Sequence, residues 1–258
     1  MSEIHKTAII DKNVIIGDNV AIGPYTVIEG NVKIADNNII KSSVYISGNT
    51  DIGPGNIFYP FCSIGSFPQD LKFNNEKTYL QIGINNTFRE HSTVNLGTIG
   101  GGGITKIGDN SLFMIGSHIA HDCIVGNNIV MANQATLGGH VVVENNAIIG
   151  GLSGVHQFCR IGSLSMIGGL SAVENDVVPF GLVTGNRAKL LGLNIVGLRR
   201  ANYSNQTIIE LKDIFNKIFN SSEIKNESNL HKNTNNELVK KLIDFIIVDS
   251  QRGLCSFK

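Results

Sequence analysis

A period of six residues constrains this chain more than any other feature. Every sixth residue from Ile10 is apolar through Ile16, Ile22, Ile28, Ile34, Ile40, Ile46, Ile52, Phe58 and Ile64. The phase returns at Ile82, Phe88 and Val94, then runs through twelve positions from Ile107 to Val173. Six is a multiple of the strand repeat of two and cannot keep one face of a 3.6-residue helix apolar. The chain must therefore consist of very short strands joined by tight corners. Gly often follows the aliphatic residue, as at Gly17, Gly53, Gly108, Gly126, Gly138 and Gly162. Polar pairs recur at Asp18-Asn19, Asn37-Asn38, Asp109-Asn110, Asn127-Asn128 and Asn145-Asn146. Both features suit corners at positive φ. Composition agrees: Gly is 29 of 258 residues, and charged residues are only 16% against a usual ~25%.

Such hexads resemble those of left-handed parallel β-helix proteins, in which three hexads make one 18-residue triangular coil. The 25 in-phase positions then imply eight coils. The expected fold is an all-β left-handed parallel β-helix over residues 1–185 with a small C-terminal α-helical domain over 186–258. The left hand departs from the usual right-handed crossover. Two stretches break the period, a polar one at 66–80 and a glycine-rich one at 98–106. Loops thrown out from a rigid scaffold often carry function. Phe180–Arg200 reads as a connection. Ile208, Leu211, Phe215 and Ile218 then recur at helical spacing behind Ser204 or Asn205 as cap. Leu238, Leu242, Phe245 and Ile246 do so again, after a polar connection at Asn220–Asn236.

Several classes fall away. Lys+Arg and Asp+Glu are 21 each, so the chain lacks the basic excess of a nucleic-acid binder. Apolar content is too high for disorder, and no apolar run approaches the ~20 residues of an integral membrane segment. The N-terminal stretch does not read as a signal peptide. Cys62, Cys123, Cys159 and Cys255 form neither a metal motif nor a disulfide framework, which points to a reducing cytoplasmic location.

Four of the seven histidines, His118, His121, His140 and His156, fall in one stretch. Residues 18 apart stack on neighbouring coils about 4.8 Å apart. His121, Gly139 and Gln157 then share a column, His140 lies beside Asp122, and His156 lies beside Gly138. Three uses are open to such a patch. A neutral imidazole can take a proton from a substrate hydroxyl, worth ~10²–10⁴-fold. Asp122 would orient it if a local turn brought consecutive side chains together, and Gly139 offers a bare backbone N–H to an oxyanion. Alternatively, His118, His121 and His140 would ligate zinc. The third use is structural hydrogen bonding.

Longer strings narrow the choice. They are IGSFPQDLKF (64–73), GGGITKIG (101–108), SHIAHDCIVGN (117–127), ATLGGHV (135–141), GVHQF (154–158), GNRA (185–188) and GLNIVGLRR (192–200), with the ending SQRGL. Over nearly the whole chain they resemble the acyl-[acyl-carrier-protein]–UDP-N-acetylglucosamine O-acyltransferase family. The resemblance implies transfer of a β-hydroxyacyl group from acyl carrier protein to the 3-hydroxyl of UDP-N-acetylglucosamine, the first step of lipid A synthesis. It implies a homotrimer with active sites between subunits, without cofactor or metal. His121 matches the general base, Asp122 its orienting partner and Gly139 the oxyanion donor. Asp70 and Lys72 match contacts to the sugar nucleotide. His118, His140, His156 and Gln157 match other pocket residues, and Asn194 and Arg200 match contacts at the nucleotide end. Gly169 matches the position that limits acyl length, where Gly leaves the groove long. Asn95 stands where the pattern has His, which leaves a 3-amino acceptor open beside the 3-hydroxyl. Val196 and Ala201 stand where it has Glu and Arg. Arg187, Lys189, Arg199 and Arg200 are candidates for docking the acidic carrier. Competing readings are a related N-acyltransferase or coenzyme A-dependent acetyltransferase, a β-helical zinc carbonic anhydrase and a purely structural solenoid. The PQDLK string, the broken repeat and the histidine patch favour the O-acyltransferase.

Overall fold

The computed structural model describes residues 2–257. Its core is a left-handed parallel β-helix with three flat faces, built from sheets of 11, 9 and 8 strands, most of them two residues long. The first face runs from Glu3–Ile4 to Gly181–Thr184 in parallel, and Lys189–Leu193 closes it antiparallel. The second face runs from Ile9–Ile10 to Ala172–Val173, and the third from Ile15–Ile16 to Arg160–Ile161. The stack is taller than the eight coils expected. Ile4 is already in phase, and Leu182–Val183 pair with Met166–Ile167 after the strict period has ended.

The register shows how the insertions are absorbed. His118 pairs with Thr136, and Thr136 with Gly154, in steps of 18. Ser63 pairs with Thr93, and Thr93 with His118. The extra residues are therefore looped out while the stack continues beneath them. Inside, the in-phase residues form one apolar column. Phe58, Phe88 and Phe113 are fully buried with rings stacked at 5.0 and 4.7 Å. Each such side chain contributes ~1.5–3 kcal/mol by leaving water.

Glycine serves a different purpose from the one expected. The corners are indeed left-handed at Asn19, Asn37, Asn110, Asn128 and Asn146, but equally so at Leu152, Phe158, Leu164 and Leu170. Corner-to-corner bonds such as Leu170 N to Gly151 O, 2.9 Å, offset that strain. The glycines after the aliphatic residue mostly avoid positive φ. Their need is space: a Cβ on Gly108 would lie 2.8 Å from the carbonyl carbon of Gly126 in the next coil.

Beyond the solenoid, Phe180–Arg200 is more ordered than a connection. Its hairpin strand Lys189–Leu193 leads into α1 (Ile195–Arg200), and the 185/186 division falls in the hairpin turn. In α2 (Asn205–Asn220), Ser204 Oγ accepts from Thr207 N at 3.1 Å, and Ile208, Leu211, Phe215 and Ile218 are buried. A short helix, α3 (Ile224–Leu230), occupies the stretch expected to be a connection. Its two apolar residues are too few to make a periodic signal. In α4 (Glu237–Ile247), Leu238, Leu242, Phe245 and Ile246 are buried. The tail then returns to the solenoid, where Leu254 bridges Asp176 and Phe257 bridges Leu190. Among the described residues no helix is long and apolar enough to cross a membrane.

Candidate active site

His121 and Asp122 form the corner between the second and third faces. Consecutive residues on a strand point to opposite sides, but Asp122 is left-handed at φ 60° and the corner folds the two side chains together. Asp122 Oδ2 accepts from His121 Nδ1 at 2.7 Å. Nδ1 therefore carries the proton, and in the neutral ring Nε2 is the basic atom.

The glycine-rich insertion holds this pair. Thr98 N donates to Asp122 Oδ1 at 2.8 Å, and Thr98 Oγ1 to Oδ2 at 2.6 Å. Asp122 N donates to Thr105 Oγ1 at 2.8 Å. Gly101 lies against the carboxylate, where a Cβ would collide with it. Thr98, Gly101 and Thr105 escaped sequence reasoning. The one available signal was a threonine flanking each side of the glycine run.

The next coil brings His140 and Gly139. His140 Nδ1 is 3.8 Å from Asp122 Oδ2, and its ring meets His121 edge-on at 5.0 Å and stacks on Phe158 at 4.4 Å. Burial pushes His140 below the usual imidazole range, against the pull of Asp122. His118 bonds Thr93 Oγ1 through Nδ1 at 2.7 Å and is likewise lowered, by burial first and by His121 second. Gly139 leaves room for the His121 ring: a Cβ there would lie 2.5 Å from Cε1 and 2.7 Å from Nε2. Among the described residues its N–H donates to no protein acceptor.

The polar insertion closes over this corner. Asp70, Lys72, Phe73 and Glu76 share a pocket of about 280 Å³ with Thr98, Ile99, Gly100, His140 and Phe158. Asn95 Nδ2 donates to Phe67 O at 3.0 Å and ties that insertion down, while its buried Oδ1 has no partner among the described residues. His156 and Gln157 lie in the coil beyond Gly139 and contact Arg252 of the tail.

Other expected residues lie elsewhere on the solenoid. Gly169 is at the corner between the first and second faces, 3.3 Å by its would-be Cβ from Gly151 O. Asn194 is at the corner between the third and first faces, where its Nδ2 donates to Leu164 O at 2.9 Å and its Oδ1 caps α1 by accepting from Gly197 N at 3.0 Å. Arg200 ends α1 and is exposed. The three groups thus occupy three different edges, separated by faces roughly 15–20 Å wide at ~3.3 Å per residue. Of the basic candidates, Arg187 pairs with Glu174 at 2.9 Å and Lys189 donates to Ser256 Oγ at 2.7 Å.

A cation also has a candidate place. Ligand atoms of His121, Asp122 and His140 lie within 4.8 Å of one another. The fit is poor, because Asp122 already accepts three hydrogen bonds and His118, expected as a third histidine ligand, does not join the group. All four cysteines are free and buried, and burial pushes the thiols of Cys62, Cys123 and Cys159 up to about 12.

A hexad solenoid with this corner belongs to the hexapeptide-repeat acyltransferases. The bacterial transferase hexapeptide model matches residues 13–48 and 104–139, and the model for domain 2 of UDP N-acetylglucosamine O-acyltransferase matches residues 176–255. The chain is 48% identical over 256 residues to the acyl-[acyl-carrier-protein]–UDP-N-acetylglucosamine O-acyltransferase of Aliarcobacter butzleri, covering 98% of both chains. Its fold matches the UDP-N-acetylglucosamine acyltransferase from Campylobacter jejuni with TM-score 0.94 at 39% identity, covering 99% of this chain and 100% of that one. The Arabidopsis UDP-N-acetylglucosamine acyltransferase matches with TM-score 0.86 at 34% identity, covering 98% and 99%. The chain belongs to the acyl-[acyl-carrier-protein]–UDP-N-acetylglucosamine O-acyltransferase family.

Proposed function

We propose that this protein transfers a β-hydroxyacyl group from acyl carrier protein to the 3-hydroxyl of UDP-N-acetylglucosamine, the first step of lipid A synthesis. The observation that carries the mechanism is the corner itself. The 2.7 Å bond from His121 Nδ1 to a buried, clamped carboxylate leaves Nε2 as a base. Nε2 takes the hydroxyl proton as the sugar oxygen attacks the thioester carbonyl. The new oxyanion is received by the unpartnered N–H of Gly139. When the intermediate collapses, the ester forms, the C–S bond breaks, and the departing thiolate takes the proton from His121. The step needs neither cofactor nor metal.

In this reading Asp70, Lys72, His118, His140, His156 and Gln157 receive the sugar nucleotide around the catalytic corner. Asn194 and Arg200 meet its nucleotide end, and Gly169 keeps the acyl groove long. These groups occupy three edges of one chain, which supports a homotrimer in which neighbouring copies complete each site. Residues 1–185 form the catalytic solenoid domain, and residues 186–258 the domain carrying Asn194, Arg200 and the tail. The substrates place the protein in the cytoplasm, with no nucleic acid partner.

The test is purified protein with UDP-N-acetylglucosamine and a panel of β-hydroxyacyl carriers, the product read by mass. A 3-O-acylated product is expected, with His121→Ala folded but slower by more than ~10³-fold, toward the upper end of general-base contributions. No product from any carrier, or most activity retained in His121→Ala, would overturn the reading. A 3-amino sugar nucleotide in the same panel decides the acceptor at Asn95.

A further inference from the structure

The C-terminal tail reaches back to the solenoid and ends against two proposed pocket residues. Asp176 N donates to Gly253 O at 2.8 Å, and Cys255 N donates to Asp176 O at 2.8 Å. Asn175 Nδ2 donates to Arg252 O at 2.5 Å. These bonds hold residues 252–255 as an added strand at the rim of the last coils, and Arg252 projects from that strand. Its Nε donates to Gln157 O at 2.8 Å, and its Nη2 meets His156 Nδ1 at 2.6 Å. Arg252 is partly buried, and His156 is exposed.

The donor chemistry of this contact has one solution. A guanidinium has five N–H donors, no acceptor, and does not lose its proton. His156 Nδ1 must therefore accept from it, so the ring proton sits on Nε2; Nδ1 also lies 3.3 Å from Gln157 O, but Arg252 Nε already serves that carbonyl at 2.8 Å and the guanidinium contact at 2.6 Å is the shorter. Among the described residues Nε2 has no protein partner. The two-point grip on Gln157 O and His156 Nδ1 also matches the planar fork of Arg better than the single ammonium of Lys.

We propose that Arg252 is a positioning residue for His156: it fixes the Nε2–H tautomer, so that His156 offers the substrate a hydrogen-bond donor. The proposal rests on the reading that His156 lines the acceptor site. The substrate atom it serves is an oxygen acceptor on the sugar nucleotide. The ending SQRGL, which the catalytic corner does not use, thereby becomes part of the site.

The test compares the full-length protein with Arg252→Ala and Arg252→Lys. Imidazole ¹⁵N NMR at pH 8 is expected to show His156 as one tautomer, with Nδ1 unprotonated, in the unsubstituted protein. Arg252→Ala is expected to show both tautomers exchanging, with the KM for UDP-N-acetylglucosamine raised about tenfold and kcat within threefold. Arg252→Lys retains one donor and should recover part of both effects. In a His156→Gln background, Arg252→Ala should raise KM no further, whereas a merely structural tail would cost the same in both backgrounds. A His156 tautomer unchanged in both Arg252 variants overturns the proposal, as does a tenfold KM rise that persists in the His156→Gln background. The NMR measurement needs no substrate. Absence of turnover by the unsubstituted protein would therefore count against the acyltransferase reading and leave the tautomer result to decide the role of Arg252.

Discussion

Gly139→Ala is the sharpest probe of the catalytic corner, because the structure fixes what one methyl must displace. The three atoms nearest to the added Cβ are all in the His121 ring: Cε1 at 2.5 Å, Nε2 at 2.7 Å and Nδ1 at 3.1 Å. Ordinary carbon contacts lie at ~3.5–4.0 Å, so the ring must retreat by about 1 Å. The backbone needs no such change, since Gly139 is outside the left-handed region. The methyl therefore acts on the imidazole, stretching its 2.7 Å bond to Asp122 and moving Nε2 off line. A misplacement of ~1 Å is worth about 10²-fold in rate, or about 2.7 kcal/mol of barrier. Stability should fall by no more than about 1 kcal/mol, a Tm shift of ~2–4 °C in a chain of this size.

The assay is kcat from product mass at saturating carrier and sugar nucleotide, run alongside thermal unfolding. The control is Gly139→Ala in a His121→Ala background, where no ring remains to be displaced. There the methyl should cost less than threefold. Full activity in the single variant would refute the reasoning. So would the same hundredfold loss in both backgrounds, which would assign the damage to the oxyanion side alone.

Two further outcomes follow from the groups around the pair. Thr98→Val keeps the backbone bond to Asp122 but deletes the buried 2.6 Å hydroxyl bond. A hydrogen bond to a charged group is worth ~1.5–3 kcal/mol, so the urea midpoint and kcat should both fall, and Thr98→Ser should restore them. His118 and His140 are held below the usual imidazole range by burial. The unfolded chain then binds more protons between the lowered values and the ordinary ~6.5, so folding stability is full above that value and declines as pH falls below it. Urea midpoints at pH 7.5 and 5.5 should show the decline, and His118→Gln should reduce it; a midpoint flat across that range would contradict the assignment.

The hexads were legible because they repeat. Ile10 to Ile64 and Ile107 to Val173 could be read as one interior column, and spacing by 18 correctly placed Gly139 over His121 and His140 over Asp122. Where the repeat weakens, reading by period failed for physical reasons. Leu182–Val183 continue the stack through a strand that arrives after a break in phase, and α3 is too short to show a stripe. Glycine was misread because a small residue after a buried aliphatic suggests a turn. Close stacking of coils makes the same demand: the limit at Gly108 is the backbone of Gly126, 18 residues away.

The parts of the site that stayed hidden share one property. Thr98 clamps Asp122 across 24 residues, and Arg252 grips His156 across 96. Neither separation is a multiple of the coil, because each partner comes from a segment outside the repeat. A periodic sequence announces which of its own residues stack, so His121 and Gly139, the proposed base and oxyanion donor, could be paired on arithmetic alone. It does not announce what an insertion or a tail lays against that stack. The geometry assigns the two kinds of segment different tasks. The solenoid supplies a rigid corner on which His121 and Gly139 keep a fixed offset of one coil, while the non-repeating segments settle where protons sit, on Nδ1 of His121 through Asp122 and on Nε2 of His156 through Arg252. Substitutions at the buried in-phase positions of the hexads should therefore act mainly through stability. Those at Thr98 and Arg252 should act through kcat and KM respectively, even though neither side chain is needed to build the coil.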